Sequence, residues 1–267
     1  MKKTICGILS TIVMCSSLTT SIVAIDEATI TFPETEKQMS FVQLEESSTL
    51  ENTQSPRVLI YSPQWFYLAR TGYSNYETHY QHNTSVDTGA SYIYGQNSCS
   101  QYLIGNYTMD AKGCGVIATY NALKRNGRII SLPDIIRSFE KDEYLVVDSY
   151  FGTDPYAIGD YFDSIYVDYT EYAEPTSFDA FAEYVDDNIN TRQTYIVSFW
   201  NSTNALDGAH TIAFYTENGT IKAFNRHNND TAVTEYDSVY SLIGSPYAQE
   251  KFIVGYSLGA RSRMSDE

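Results

Sequence analysis

Apolar side chains recur with a helical period in several segments between residues 114 and 189. The strongest pattern runs from Cys114 to about residue 126 and ends before Gly127. Three further helices are predicted over Ser131–Glu140, Pro155–Phe162 and Ser177–Ile189. The preceding stretch, 58–105, is punctuated by glycine, asparagine and serine, so we expect irregular structure with short strands, beginning at Arg57–Tyr61.

The pattern changes to strands in the last third of the chain. β-branched and aromatic residues dominate four segments, Thr194–Trp200, Ala209–Tyr215, Thr220–Phe224 and Lys251–Leu258, and Arg261–Glu267 is expected to fray. Asn218-Gly219 separates the second and third segments and predicts a tight hairpin. Because helices come first and strands follow, the order favours an α+β fold over alternating units around a parallel sheet.

The amino-terminal residues predict export and processing. Residues 1–24 have a basic start at Lys2 and Lys3, an apolar run and a small residue at Ala24, which is typical of a bacterial signal peptide. Residues 25–57 are acidic and lack periodicity, as in a pro-segment or a flexible linker. We therefore expect one secreted domain over residues 58–267, without stable membrane insertion and monomeric.

Charge and cysteine content narrow the range of partners. The net charge of −16 disfavours nucleic acid and anionic membranes as partners. Removal of the signal leaves Cys99 and Cys114, and a pair of cysteines in an exported protein can form a disulfide. His79 and His82 have the spacing of a metal pair but lack an identifiable third ligand, so no metal or cofactor is expected.

Cys114 is the candidate nucleophile. It stands between Gly113 and Gly115 at the predicted start of the strongest helix. Free backbone N–H groups and the helix dipole favour negative charge at such a position, so we expect the pKa of this thiol to be lowered.

His210 and Asn225 are the candidate base and its orienting group. His210 begins a predicted strand, and Asn225 follows the end of the next one, so the hairpin brings the two residues together. The amide oxygen of Asn225 is expected to accept the Nδ1–H of His210 and to leave Nε2 for the sulfur. Asn228 and Asp230 are substitutes if the hairpin is longer.

Three short motifs follow one another along the chain: Gly113-Cys114-Gly115 opens a helix, Gly208-Ala209-His210 opens a strand, and Phe224-Asn225 ends the next strand. In this order they resemble the papain-like cysteine peptidase superfamily, particularly the C39-like peptidases and their secreted bacterial relatives. The resemblance implies that a helical part, with the nucleophile at a helix N-terminus, packs on an antiparallel sheet and that a thiolate–imidazolium pair performs acyl transfer. Papain-like enzymes usually carry a glutamine about six residues before the cysteine, where this chain has Thr108. Asn106 is the candidate oxyanion donor instead.

Three functions are consistent with these residues. The first is a secreted cysteine peptidase that cleaves peptides or proteins with a Cys114–His210–Asn225 triad through a thioester acyl-enzyme. The second is a cell-wall peptidoglycan amidase or endopeptidase with the same triad. The third is a secreted, non-enzymatic binding protein in which a Cys99–Cys114 disulfide replaces the free thiol.

Overall fold

The computed structural model describes residues 63–89, 91–173, 177–201, 208–244 and 248–259. The predicted signal, the acidic segment, the strand Arg57–Tyr61 and the C-terminal residues 261–267 lie outside these ranges. The described residues all belong to one unit of the chain, Thr53–Glu267.

A six-stranded antiparallel sheet forms the centre of the fold. In chain order its strands are β5 (Tyr169–Ala173), β6 (Thr194–Trp200), β7 (Ala209–Glu217), β8 (Thr220–Phe224), β9 (Thr234–Tyr236) and β10 (Phe252–Leu258). Their spatial order is β5, β10, β6, β7, β8 and β9. The four predicted strands are confirmed, and two strands that the sequence pattern did not indicate, β5 and β9, extend the sheet at its edges.

Two short antiparallel pairs lie outside this sheet. β1 (Arg70–Thr71) pairs with β4 (Leu145–Val146), and β2 (Leu103–Ile104) pairs with β3 (Tyr107–Thr108). The structure is therefore α+β with antiparallel sheets.

The β7–β8 hairpin has the predicted tight turn. Asn218 and Gly219 both have positive φ, 54° and 78°, which two-residue hairpin turns of the I′ type require. Glu217 pairs with Thr220, and the register continues to Ala213 opposite Phe224. This register fixes which residues of the two strands become neighbours at the open end of the hairpin.

Helices cover both sides of the central sheet. They are α1 (Pro63–Leu68), α2 (Tyr76–Val86), α3 (Met109–Lys112), α4 (Cys114–Arg125), α5 (Leu132–Lys141), α6 (Ala157–Ser164), α7 (Ser177–Asp187), α8 (Val239–Ile243) and α9 (Ala248–Lys251). The four predicted helices correspond to α4, α5, α6 and α7. In α5, the Ser131 side chain accepts the Asp134 N–H at 3.2 Å and so caps the helix as predicted. No described helix has the length and apolar character of a membrane span.

The prediction of irregular structure before residue 105 was wrong for residues 63–68, which form α1, and for residues 76–86, which form α2. Only His79 and Asn83 of α2 are buried, so its sequence carries little periodic signal. Tertiary hydrogen bonds hold it instead. Asn83 exchanges two hydrogen bonds with the Leu103 backbone, at 3.0 and 2.8 Å, and His79 bonds to Glu140. A polar helix of this kind is stabilised by its neighbours rather than by its own pattern.

Apolar side chains bury both faces of the central sheet. On one face, residues such as Ile196, Ala213 and Phe224 belong to the same core as α4 and α5. On the other face, residues such as Val197, Phe199 and Ile212 pack with α7 and α8. Neighbouring residues of one strand therefore point into different cores, and this alternation decides where the candidate site residues face.

Glu140 is a buried carboxylate that joins three elements, and we predict a measurable loss of stability when its charge is removed. Its Oε1 accepts the Nδ1–H of His79 at 2.6 Å and the Gly105 N–H at 2.8 Å. Glu140→Gln is expected to lower the free energy of unfolding by about 2 kcal/mol, because charge-assisted hydrogen bonds are lost in the interior. Urea unfolding measures the change. The exposed Glu183→Gln is the matched control, and equal losses in both variants would contradict the assignment.

Candidate active site

Cys114 is the first residue of α4, and its flanking glycines allow close packing. A Cβ atom at position 115 would overlap the Thr153 hydroxyl, and one at position 113 would overlap the Met109 side chain. Cys114 is half-buried and carries a free thiol. The Gly-Cys-Gly sequence is thus explained by the space around the start of the helix.

The thiol lies against the start of β7. Hydrogen bonding from the backbone and hydroxyl of Thr211, together with the backbone of Cys114 and Gly115, favours the thiolate. Burial has the larger effect and raises the pKa of Cys114 above its ordinary value. The expected lowering of this pKa was therefore wrong, because loss of hydration outweighs the N–H groups at the helix start.

Lys112 is a cation close to this thiol. Its ammonium lies 5.3 Å from the Tyr107 ring centre and 5.4 Å from that of Tyr150. Burial lowers the pKa of Lys112, while the charge of a Cys114 thiolate would raise it. The site therefore holds one positive group that can stabilise the sulfur when it ionises.

His210 is bonded to Asn225, but by a different atom from the one predicted. Its Nε2 lies 2.6 Å from the backbone carbonyl oxygen of Asn225, and a carbonyl only accepts, so Nε2 carries the hydrogen. Nδ1 is then the unprotonated nitrogen of the neutral ring. The sequence prediction had the opposite tautomer and used the Asn225 side chain. Burial lowers the pKa of His210 to about 4.

Asn225 is held in a left-handed conformation with φ of 54° directly after β8. Its N–H donates to the Tyr94 carbonyl at 2.8 Å, and its Nδ2 donates to Gln96 Oε1 at 3.3 Å. Its Oδ1 is buried and finds no hydrogen-bond partner within the described part of the chain. The Asn225 side chain is thus directed to Gln96, and its main-chain carbonyl orients His210.

The structure brings Cys114 to β7 but does not join the thiol to the imidazole. Thr211 faces Cys114, and the preceding residue, His210, contacts the edge of Phe199 in the opposite core, with ring centres 6.0 Å apart. Among the described residues, no hydrogen bond connects Cys114 Sγ with a ring nitrogen of His210.

Asn106, the predicted oxyanion donor, is exposed on the turn between β2 and β3. Its N–H donates to the Asp148 carbonyl at 3.2 Å, and its catalytic role stays a prediction. The predicted substitutes for Asn225 form hydrogen bonds elsewhere, although the charge of Asp230 acts to raise the pKa of His210. Asp230 accepts the His227 N–H at 2.9 Å, and the Asn228 carbonyl accepts the Asn97 N–H at 2.8 Å.

Gln96 is the polar residue that the sequence analysis missed. It is buried, and its Nε2 donates at 2.8 Å to the carbonyl of Asp110 in α3, immediately before Cys114. Its Oε1 accepts from Asn225. Gln96 therefore bridges the segment before the nucleophile and the residue that orients the base. No periodic pattern surrounds Gln96. The signal that could have indicated it is a glutamine preceding Cys114 at a longer spacing than the six residues usual in papain-like enzymes.

His79 and His82, the two histidines with the spacing of a metal pair, have structural partners. His79 bonds to Glu140, and His82 Nε2 bonds to the Gln101 carbonyl at 3.0 Å. In the described ranges, no group of three or more acidic, histidine or cysteine residues could hold a metal ion. Cys99 is buried with a free thiol whose pKa burial raises to about 11, and Cys114 is also free, so the structure lacks the disulfide of the binding-protein hypothesis.

Burial of His210 in its neutral form predicts an acid-sensitive contribution to stability. The folded-state pKa of about 4 lies below the ordinary value of 6.5, so the unfolded chain binds the proton first as the pH falls. The contribution is present above pH 6.5 and is lost between that pH and the folded-state pKa. When the pH is lowered from about 7 to about 4, both proteins lose unfolding free energy, but His210→Gln lacks the part of this loss that is due to His210. Its loss should therefore be smaller than that of the unaltered protein by on the order of 3 kcal/mol.

Urea unfolding over this pH range tests the prediction, with the exposed His82→Gln as the matched control. The control should retain the full pH dependence. An equally steep loss in His210→Gln would contradict burial of His210 as a neutral ring.

No known protein family, curated protein or solved structure matches this chain.

Proposed function

We propose that this chain is a cysteine peptidase with a papain-like arrangement, in which Cys114 is the nucleophile and His210 the base. The observation that carries the proposal is a free thiol at a helix start, packed against the strand that begins beside an oriented, neutral imidazole. The amino-terminal pattern of residues 1–24 supports action outside the cell.

The resting site holds a neutral thiol and a neutral imidazole. Burial raises the pKa of Cys114 and lowers that of His210, so both charged forms are disfavoured before substrate binds. With Nε2 held by the Asn225 carbonyl, Nδ1 is the nitrogen that would accept the thiol proton in the proposed pair. The proposed enzyme thus forms its ion pair during the reaction, in contrast to the thiolate–imidazolium pair implied by the family resemblance.

The reaction then follows acyl transfer. The Cys114 sulfur attacks the peptide carbonyl, and the resulting oxyanion receives hydrogen bonds from backbone N–H groups at the start of α4 and from the Gln96 amide. His210 returns its proton to the leaving amine as the thioester forms. Water hydrolyses the thioester, gives its proton to His210, and restores the thiol when that proton returns to sulfur.

Peptide hydrolysis by the purified protein tests this proposal. With denatured casein or peptidoglycan as substrate, Cys114→Ser is expected to lower the rate by about 10⁴-fold or more, and His210→Gln by at least about 10²-fold. The exposed His82→Gln is the matched control and should retain the rate. Release of peptides from casein alone would indicate a proteinase, and release from peptidoglycan alone would indicate a cell-wall enzyme.

Asn225→Gly tests which atom orients the base. Glycine keeps the left-handed backbone and the carbonyl that bonds to His210 but removes the side chain. The variant should retain activity within about tenfold of the unaltered protein, since only support for Gln96 is lost. A loss as large as that of His210→Gln would show that the side chain is the orienting group.

Absence of hydrolysis by the unaltered protein, or full activity in Cys114→Ser, would contradict the peptidase proposal.

A further inference from the structure

A cavity of about 450 Å³ lies at the opposite end of α4 from Cys114. Its walls are formed by Tyr92, Tyr94, Arg125, Tyr215, Phe224 and the segment 231–233. This volume falls within the range of roughly 300–1,000 Å³ that is typical of small-molecule sites. Arg125 ends α4, eleven residues after Cys114 (125 minus 114), so the cavity is about 16 Å from the nucleophile along the helix.

Aromatic rings line one side of the cavity. Tyr92 stacks on Phe224 with ring centres 4.9 Å apart and an interplanar angle of 25°. Tyr94 and Tyr215 lie 6.0 and 5.6 Å from the same ring at moderate angles. Phe224 itself is buried, whereas the three tyrosines are half-buried and contribute the accessible surface. Such a wall suits a flat apolar group that can stack on a ring.

Arg125 supplies a positive charge that the described residues leave unpaired. Its guanidinium carbon lies 4.3 Å from the Tyr215 ring centre, and its Nε is buried without a hydrogen-bond partner among the described residues. Every other arginine in the described ranges has an oxygen partner: Arg70 with Asp154, Arg128 with Ile165, Arg137 with Glu77, Arg192 with Glu217 and Arg226 with Leu242. Arg125 is therefore distinguished by an available set of donors.

Arg125 lacks an acidic partner even though the chain as a whole is strongly acidic. The chain carries a net charge of −16, yet none of the described carboxylates forms an ion pair with Arg125. Burial raises the pKa of Tyr215, so the ring beneath the guanidinium stays a neutral phenol at neutral pH. A planar guanidinium with unused donors favours two-point binding of a carboxylate.

We propose that this cavity binds a carboxylate attached to an aromatic group, with the ring against Tyr92 and Tyr94 and the carboxylate on Arg125. A free aromatic acid or the terminal aromatic residue of a peptide has this chemistry. The site is separate from Cys114 and does not depend on peptidase activity.

Calorimetric titration of the full chain with hydrocinnamate tests the proposal. Benzylacetone, the neutral ketone of the same shape, lacks the carboxylate, and propionate lacks the ring. Comparison with each control therefore measures the contribution of the missing group. Hydrocinnamate is expected to bind at least about tenfold more tightly than either control, because each lacks one of the two interactions. Binding equal to that of benzylacetone, or absence of binding, would overturn the proposal without any variant being needed.

Arg125→Gln should weaken hydrocinnamate binding by about 10- to 100-fold, since the charge and the paired donors are lost. Arg137→Gln, on the exposed surface, is the matched control and should bind as the unaltered protein does. Thermal unfolding checks that both variants fold. A short peptide ending in phenylalanine identifies the source, because tighter binding than hydrocinnamate indicates a peptide end and weaker binding a free acid. Unchanged binding in folded Arg125→Gln would overturn the assignment.

Discussion

The close approach of α4 to the central sheet is the constraint on which the rest of the structure depends. Gly115 has no room for a side chain beside Thr153, in the segment before α6, and the thiol of Cys114 lies against Thr211 of β7. The same packing aligns α4 along the sheet, so that its other end delivers Arg125 to the aromatic wall around Phe224. One helix thus connects a half-buried thiol with a separate, positively charged cavity.

Burial also controls the chemistry of the site. A helix start favours a thiolate, but loss of hydration raises the pKa of Cys114 and lowers that of His210 to about 4. Both groups are therefore neutral at rest, and the Asn225 carbonyl fixes the tautomer that leaves Nδ1 as an acceptor. The proposed mechanism requires Nδ1 of His210 to reach the sulfur, and no hydrogen bond joins the two among the described residues.

The sequence predicted those parts of the fold that carry a strong local pattern. The helix from Cys114, the capped helix after Ser131 and the hairpin around Asn218-Gly219 follow from apolar periodicity and turn chemistry, and the hairpin correctly placed Asn225 beside His210. The polar helix Tyr76–Val86 could not be predicted, since Asn83 and His79 find their partners far away in the chain. The contacting atom of Asn225 and the bridging position of Gln96 depend on tertiary geometry in the same way.

Trapping of an acyl-enzyme is the most direct measurement of the central claim that Cys114 performs acyl transfer with His210 as its base. The protein would be mixed with a peptide thioester, quenched in acid within milliseconds and analysed by mass spectrometry of its proteolytic fragments. The account predicts an acyl group on Cys114 that accumulates early and is formed at least about 10²-fold more slowly in His210→Gln. Absence of the adduct from Cys114, or an equal rate of formation in His210→Gln, would contradict it.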